Sequence, residues 1–123
     1  MIVRTFQPRF APLVENGTKK HTVRLTPKRM PKVGQAISLR KWSGLPYRSK
    51  QVILRESVIT KIERIRITFR NGKNVIFIND KALDRYDADR FARNDGFECI
   101  GEMFKWFGDV HGLPFAGIVI HWK

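Results

Sequence analysis

The sequence predicts a single α+β domain, a small and strongly curved sheet or barrel of five or six short strands flanked by about three helices. Three observations carry this. Apolar residues alternate with period two in several short stretches, two later stretches have helical spacing instead, and the two kinds follow one another in mixed order. At 123 residues the chain has the length of one domain, and with 42% hydrophobic residues, nine Phe and three Trp among them, it can bury a core.

In order along the chain, Met1 to Phe6 reads as a first strand. Residues 10–16 read as a short helix around Phe10, Leu13 and Val14, stopped at Asn16-Gly17, where glycine accepts left-handed backbone. Leu25 to Lys32 contains Pro27 and Pro31 and reads as a loop, Val33-Gly34-Gln35 as a turn. Ala36 to Trp42 alternates as a strand, and Ser43 to Gln51 is an exposed loop. Val52 to Arg70 is rich in β-branched residues, but Ile59, Ile62, Ile65 and Ile67 break strict alternation once. Two strands, or one strand with a bulge, are expected there. Asn71-Gly72 is a hairpin signal, with Val75 to Ile78 returning. Lys81 to Asn94 has helical spacing and ends at Asp95-Gly96. Ile100, Met103, Phe104 and Phe107 form the apolar stripe of another helix running to about Val110, and Leu113 to Trp122 reads as a buried final strand.

The charge is unevenly distributed. The chain has 24 Lys and Arg against 11 Asp and Glu, a net +13. Residues 1–55 hold 13 basic residues and only Glu15 as an acid; residues 56–123 hold 11 basic and 10 acidic residues. A one-sided positive field attracts polyanions, so nucleic acid or a nucleotide-like ligand is the expected partner, RNA first, with DNA an open alternative. Cys99 is the sole cysteine and His21, His111 and His121 are far apart, so neither an internal disulfide nor a zinc site is expected. There is no P-loop or dinucleotide fingerprint, and no cofactor is expected. No apolar run reaches the roughly 18 residues of a membrane span, and the N-terminus lacks a signal-peptide core; with an unpaired cysteine this points to the cytoplasm.

The candidate site lies just after the first helix, in Gly17-Thr18-Lys19-Lys20-His21-Thr22-Val23-Arg24. Thr22 is a hydroxyl nucleophile only with a base beside it, and Lys19 is a base only where its surroundings lower its pKa. Lys19 serves an anion-binding site equally well. Lys20 and His21 read as solvated flanks. Arg24 suits a bidentate grip on phosphate or carboxylate, or an ion pair with an acid of the second half. Arg9, Lys28, Arg29 and Lys32 would form a rim tracking a phosphate backbone. Trp42, Tyr47, Arg48 and Lys50 interleave aromatics with cations, as base stacking with phosphate contact requires. Trp106 lies off the apolar stripe of its helix and reads as packing; Trp122 reads as core.

Gly17, Lys19, Thr22 and Arg24 match the Gly-x-Lys-x-x-Thr-x-Arg of the ASCH domain, named for homology to an activating-signal cointegrator, within the PUA-like superfamily. Val33 to Ile37 resembles that family's next turn and strand, and Ala92 to Phe104 its late element. The Trp42 to Lys50 loop is similar to segments of phage and bacterial members. The resemblance implies a β-barrel, a cleft between barrel and helices, and a link to RNA. Some small bacterial members are amidohydrolases of N4-acetylcytidine, and others have been described as ribonucleases or binding modules. Carried over, the hydrolase set is Lys19, Thr22 and Glu102, with no metal. Glu102 points about 160° from the centre of its helix's apolar stripe, with Glu98 pointing in a similar direction. For RNA cleavage the participants would be Lys19, His21 and Tyr47. The alternatives are therefore an RNA- or modified-nucleoside-binding domain, a metal-independent hydrolase, and an interaction module for an acidic protein.

Overall fold

A computed structural model describes residues 1–123. The chain is α+β, with seven strands in a mixed sheet and three helices. The elements in order are β1 (Ile2–Thr5), α1 (Ala11–Glu15), β2 (His21–Leu25), β3 (Ala36–Trp42), β4 (Gln51–Arg70), β5 (Lys73–Ile78), β6 (Lys81–Ala82), α2 (Arg85–Asn94), α3 (Ile100–Val110) and β7 (Phe115–Trp122).

The long β4 organises the sheet. Its N-terminal part pairs antiparallel with β3, and from Ile59 onward it pairs with β7 on one side and, from Ile65, with β5 on the other. The broken isoleucine alternation marks this handover. The stretch is one strand whose register slips between Ile59 and Lys61, the bulged alternative of the two expected. A second slip, between Leu39 and Arg40, bends the β3–β4 pair. These irregularities let one strand serve two parts of a curved sheet.

The sheet does not close into a barrel. β1 pairs in parallel with β3 alone, and β2 antiparallel with β7 alone, so each keeps a free edge. The two edges come near each other where Arg24 of β2 donates through Nη2 to the carbonyl of Thr5 in β1 (2.9 Å). A side chain spans the gap that a strand ladder would otherwise fill, and that gap becomes the site described below.

Two expected boundaries move. The helix expected over Lys81 to Asn94 starts at Arg85: Lys81 and Ala82 pair with β5 as a seventh strand, and Asp84 caps the helix by accepting from the amide of Asp87 (2.7 Å). The last strand starts at Phe115, after Pro114, which cannot donate to a ladder. Twenty buried residues form one core, with Ile37, Leu39, Ile65, Ile67, Met103 and Phe107 among its most enclosed members. No helix is long and apolar enough to cross a membrane.

Candidate functional site

The site begins at the turn after α1. Gly17 takes the left-handed backbone the turn needs (φ 85°), and the Asn16 side chain accepts from the amide of Thr18 (2.9 Å). The amides of Lys19 and Lys20 donate to the carbonyls of Leu13 (3.0 Å) and Asn94 (2.7 Å), pinning the entry to β2 between α1 and the end of α2. This turn sends the Lys19 side chain inward rather than into solvent.

Lys19 is 3% exposed, and its Nζ donates to both the carbonyl oxygen (2.6 Å) and the carboxylate Oδ1 (2.9 Å) of Asp95. Asp95 is the C-cap of α2, and its carboxylate is as buried as the lysine. The same Oδ1 lies 3.1 Å from Nδ1 of His21. One carboxylate thus organises two basic side chains that the motif places two residues apart. Gly96 makes room for this: a Cβ there would press on the Leu13 side chain and approach the Lys19 stem. His21 is not a solvated flank. It is buried, stacked on Phe91 of α2 (4.5 Å between ring centroids) and close to His121 across the β2–β7 pair (4.9 Å), because alternation turns it toward the helices. Lys20, one position earlier, is exposed as expected.

Thr22 and Arg24 lie on the opposite face of β2 from His21. Arg24 Nε donates to Thr22 Oγ1 (3.1 Å), and its guanidinium lies 4.9 Å from the centre of the Phe6 ring. It has no carboxylate partner; its hydrogen bonds go to a hydroxyl and a carbonyl. Burial, and then the neighbouring Arg4, lower the Arg24 pKa to about 10 against the pull of Asp95. Burial likewise lowers Lys19 below its ordinary value; Asp95 opposes this and Arg24 adds to it. Thr22 Oγ is bonded to Arg24, not to Lys19.

These groups line a cavity of about 460 Å³, within the range usual for small-molecule sites. Its charged floor is Arg4, Lys19, Arg24 and Asp95, three cations against one carboxylate. Its walls are the rings of Phe6, Phe10, Phe97, Trp106 and Phe107, with His111 beside them. Trp106 packs edge-on to Phe10 (5.5 Å) and also lines the cavity, so its packing role and a ligand-facing one coincide. Burial and the nearby Arg24 lower the pKa of His111, favouring a neutral imidazole at this wall.

The expected site residues divide three ways. Lys19, Thr22 and Arg24 come together in the cavity. Glu102 does not line it: the carboxylate ion-pairs with Arg9, whose guanidinium lies over the Phe10 and Phe97 rings at 5.2 and 5.1 Å. Glu98 is exposed. The carboxylate in reach of Lys19 is instead Asp95. Lys28, Arg29 and Lys32 are exposed beyond the end of β2, and Trp42, Tyr47, Arg48 and Lys50 lie on the β3–β4 hairpin, outside the cavity. The trio Lys19, His21 and Tyr47 is therefore not assembled: only Lys19 lines the cavity.

Sequence reasoning gave no site role to Arg4, His111 or the rings of Phe6, Phe10 and Phe107, and it met Asp95 and Phe97 only inside the late element of the family resemblance, without a role. Asp95 looks like an ordinary helix exit, and its partner Lys19 is 76 positions away. Its sequence signals are the following glycine, which reads equally well as a stop, and its place in the Ala92 to Phe104 stretch that resembles the family's late element. No metal-holding group of three or more His, Cys, Asp or Glu side chains is present. Compared with protein-family models, curated proteins and solved structures, the chain matches none of them.

Proposed function

We propose that the cavity between β1, β2 and α3 binds RNA or a modified nucleoside, in a member of the ASCH group with a partly open, PUA-like barrel. The observation that carries this reading is the pairing of a cationic floor with aromatic walls. Lys19 and Arg24 offer charged N–H donors to an anion or a base carbonyl, and Phe10, Phe97 and Trp106 offer ring faces and edges to a planar base. A neutral aliphatic ligand would leave the cations unanswered, and a bare inorganic anion would leave the aromatic walls unfilled. The convergence of the motif residues Lys19, Thr22 and Arg24 in one cavity supports the family reading, and the charge imbalance of the first 55 residues supports a polyanionic partner.

A hydrolase is the second reading, and one observation favours it: burial lowers the Lys19 pKa, as a general base requires, in the cavity that holds the Thr22 hydroxyl. Against it, two of the lysine's donor directions are spent on Asp95 and the hydroxyl is bonded to Arg24. Proton transfer from Thr22 would need both contacts to rearrange. The binding reading needs neither.

The test is a paired assay in EDTA of wild type, Lys19→Ala and Thr22→Ala with N4-acetylcytidine and with a labelled single-stranded RNA. The binding reading expects no turnover of either substrate, RNA retained by wild type and Thr22→Ala, and RNA released by Lys19→Ala. Turnover that vanishes in both variants while Thr22→Ala still binds would replace it with the hydrolase.

A further inference from the structure

The β3–β4 hairpin carries a second feature that the cavity does not use. Its loop is built, not slack. The amide of Gly44 donates to Ser49 Oγ (2.9 Å), Ser49 Oγ donates to the carbonyl of Leu45 (2.8 Å), and the amide of Ser43 donates to the carbonyl of Lys50 (2.8 Å). Within this frame Leu45 to Arg48 form a β-turn closed from the Arg48 amide to the Leu45 carbonyl (3.1 Å), with Pro46 second and Tyr47 third.

Tyr47 has φ 63°. Glycine or asparagine ordinarily fills that place, because a Cβ is strained there. Such strain persists only where something compensates it. Burial does not: Tyr47 is 87% exposed. What the conformation achieves is to hold the tyrosine ring 5.1 Å from that of Trp42, tilted by 47°, at the loop end of the hairpin.

The electrostatic setting is one-sided. From Asn16 to Arg55 the sequence contains no Asp or Glu. Lys41, Arg48 and Lys50 form no ion pair. Arg64 and Arg66 of β4 differ in this respect, since both reach Asp80 (2.8 and 3.9 Å). The cations of the β3–β4 hairpin are thus free to meet an outside anion, and Leu45 and Ile53 of the same hairpin are exposed.

We propose that this hairpin binds a single-stranded nucleic-acid segment, with an unpaired base stacked on Tyr47 and Trp42 and the flanking phosphates on Arg48 and Lys50. A ring face is presented to every base alike, and two unpaired cations beside it track a backbone, which is how sequence-tolerant single-strand binding is built. An acidic peptide would satisfy the cations but leave the exposed Tyr47 ring, with half-buried Trp42 beside it, without a planar partner. The inference extends the nucleic-acid reading of the cavity to different residues, and it stands or falls separately.

The experiment is fluorescence anisotropy with a labelled twelve-residue oligouridylate, a duplex of the same length as comparator, and cytidine monophosphate as a probe of the cavity alone. Tyr47→Gly is the informative variant, since it removes the ring and relieves the strain, so the fold is retained; Tyr47→Phe keeps the ring. Expected are roughly tenfold or greater weakening of oligouridylate binding by Tyr47→Gly, near wild-type binding by Tyr47→Phe, and weaker binding of the duplex. Arg48→Ala with Lys50→Ala should make the slope of log affinity on log salt less negative by about 1.4, at about 0.7 per lost phosphate contact. Oligouridylate binding that Tyr47→Gly leaves unchanged, or a salt slope that the double variant leaves unchanged, overturns the proposal. Cytidine monophosphate separates the two sites: its failure to bind wild type counts against the cavity reading, whereas its loss on Tyr47→Gly would contradict a separate hairpin site.

Discussion

At the scale of single residues, Asp95 matters most to the cavity. A buried ammonium with no counter-charge is costly, and Asp95 answers Lys19 with two oxygens while also touching His21. Asp95→Asn should therefore destabilise the protein by about 3–5 kcal/mol in denaturant unfolding, the usual cost of breaking one side of a buried pair. Adding Lys19→Met should recover much of that loss, because the orphaned charge goes with it; a double variant no more stable than Asp95→Asn would show that Lys19 is not the charge at stake. Arg9 and Glu102 are a different case. Their side chains are 42% and 31% exposed, so separating them by Glu102→Gln should change stability by about 0–1 kcal/mol. Anion binding in the cavity should also depend on pH. Lys19 sits below its ordinary value and Arg24 is lowered to about 10, and each donates its full charge only below its own pKa. Affinity for an anionic ligand should thus fall as pH rises toward 10, where Arg24 loses its charge, with the lowered Lys19 losing its own before an ordinary surface lysine does. Affinity that holds to pH 10.5 would place other groups on the ligand.

At the scale of elements, the relation between β2 and β7 sets the cavity's shape. Gly117 pairs with Leu25, and a Cβ on it would overlap the carbonyl of Arg24. The glycine lets β2 lie close enough for Arg24 to span to β1. Gly117→Ala should force β2 outward, cost about 1–3 kcal/mol as overpacking does, and weaken cavity binding although it touches no ligand. Unchanged melting and binding together would mean that β2 is not held by that approach. The element scale is also where the sequence was most readable. The hairpin at Asn71-Gly72, the β3 alternation and the α3 stripe are local patterns, and each appears where its period places it. What escaped was set by distant partners. Lys81 and Ala82 belong to a strand because β5 lies beside them, and His21 is buried because α2 covers that face of β2. Lys19, Thr22 and Arg24 could be found because the motif is contiguous; Asp95 and Arg4 reach the cavity only through the fold.

At the scale of the whole molecule, the open sheet explains why a small chain has so large a cavity. Closing β1 onto β2 would satisfy both edges and fill the space that Arg24 now crosses. The molecule keeps the gap and lines it with cations, at a cost in desolvation that lowers the pKa of Arg4, Lys19 and Arg24. Two histidines add a pH dependence to global stability. Burial is the first cause lowering His111 and His121; His111 is pushed further by Arg24, and His121 by His21 against the pull of Glu63. Below pH 6.5 the unfolded chain takes up these protons and the folded one resists them. Stability contributed by the neutral imidazoles is therefore full above that pH and is lost as pH falls toward the lowered folded values. The melting temperature should drop from pH 7.5 to 5.5, and His121→Asn should flatten the slope; a melting temperature that rises on acidification would reverse the assignment.

The central claim is that the cationic floor and the aromatic walls act on one ligand. The most direct measurement is calorimetric titration of cytidine monophosphate, cytidine and inorganic phosphate into wild type and Arg24→Gln. The account predicts that the nucleotide binds wild type more tightly than either part alone, and that Arg24→Gln brings it down to the level of cytidine while leaving cytidine itself little changed. Phosphate binding as tight as the nucleotide, or nucleotide affinity indifferent to Arg24, would contradict it.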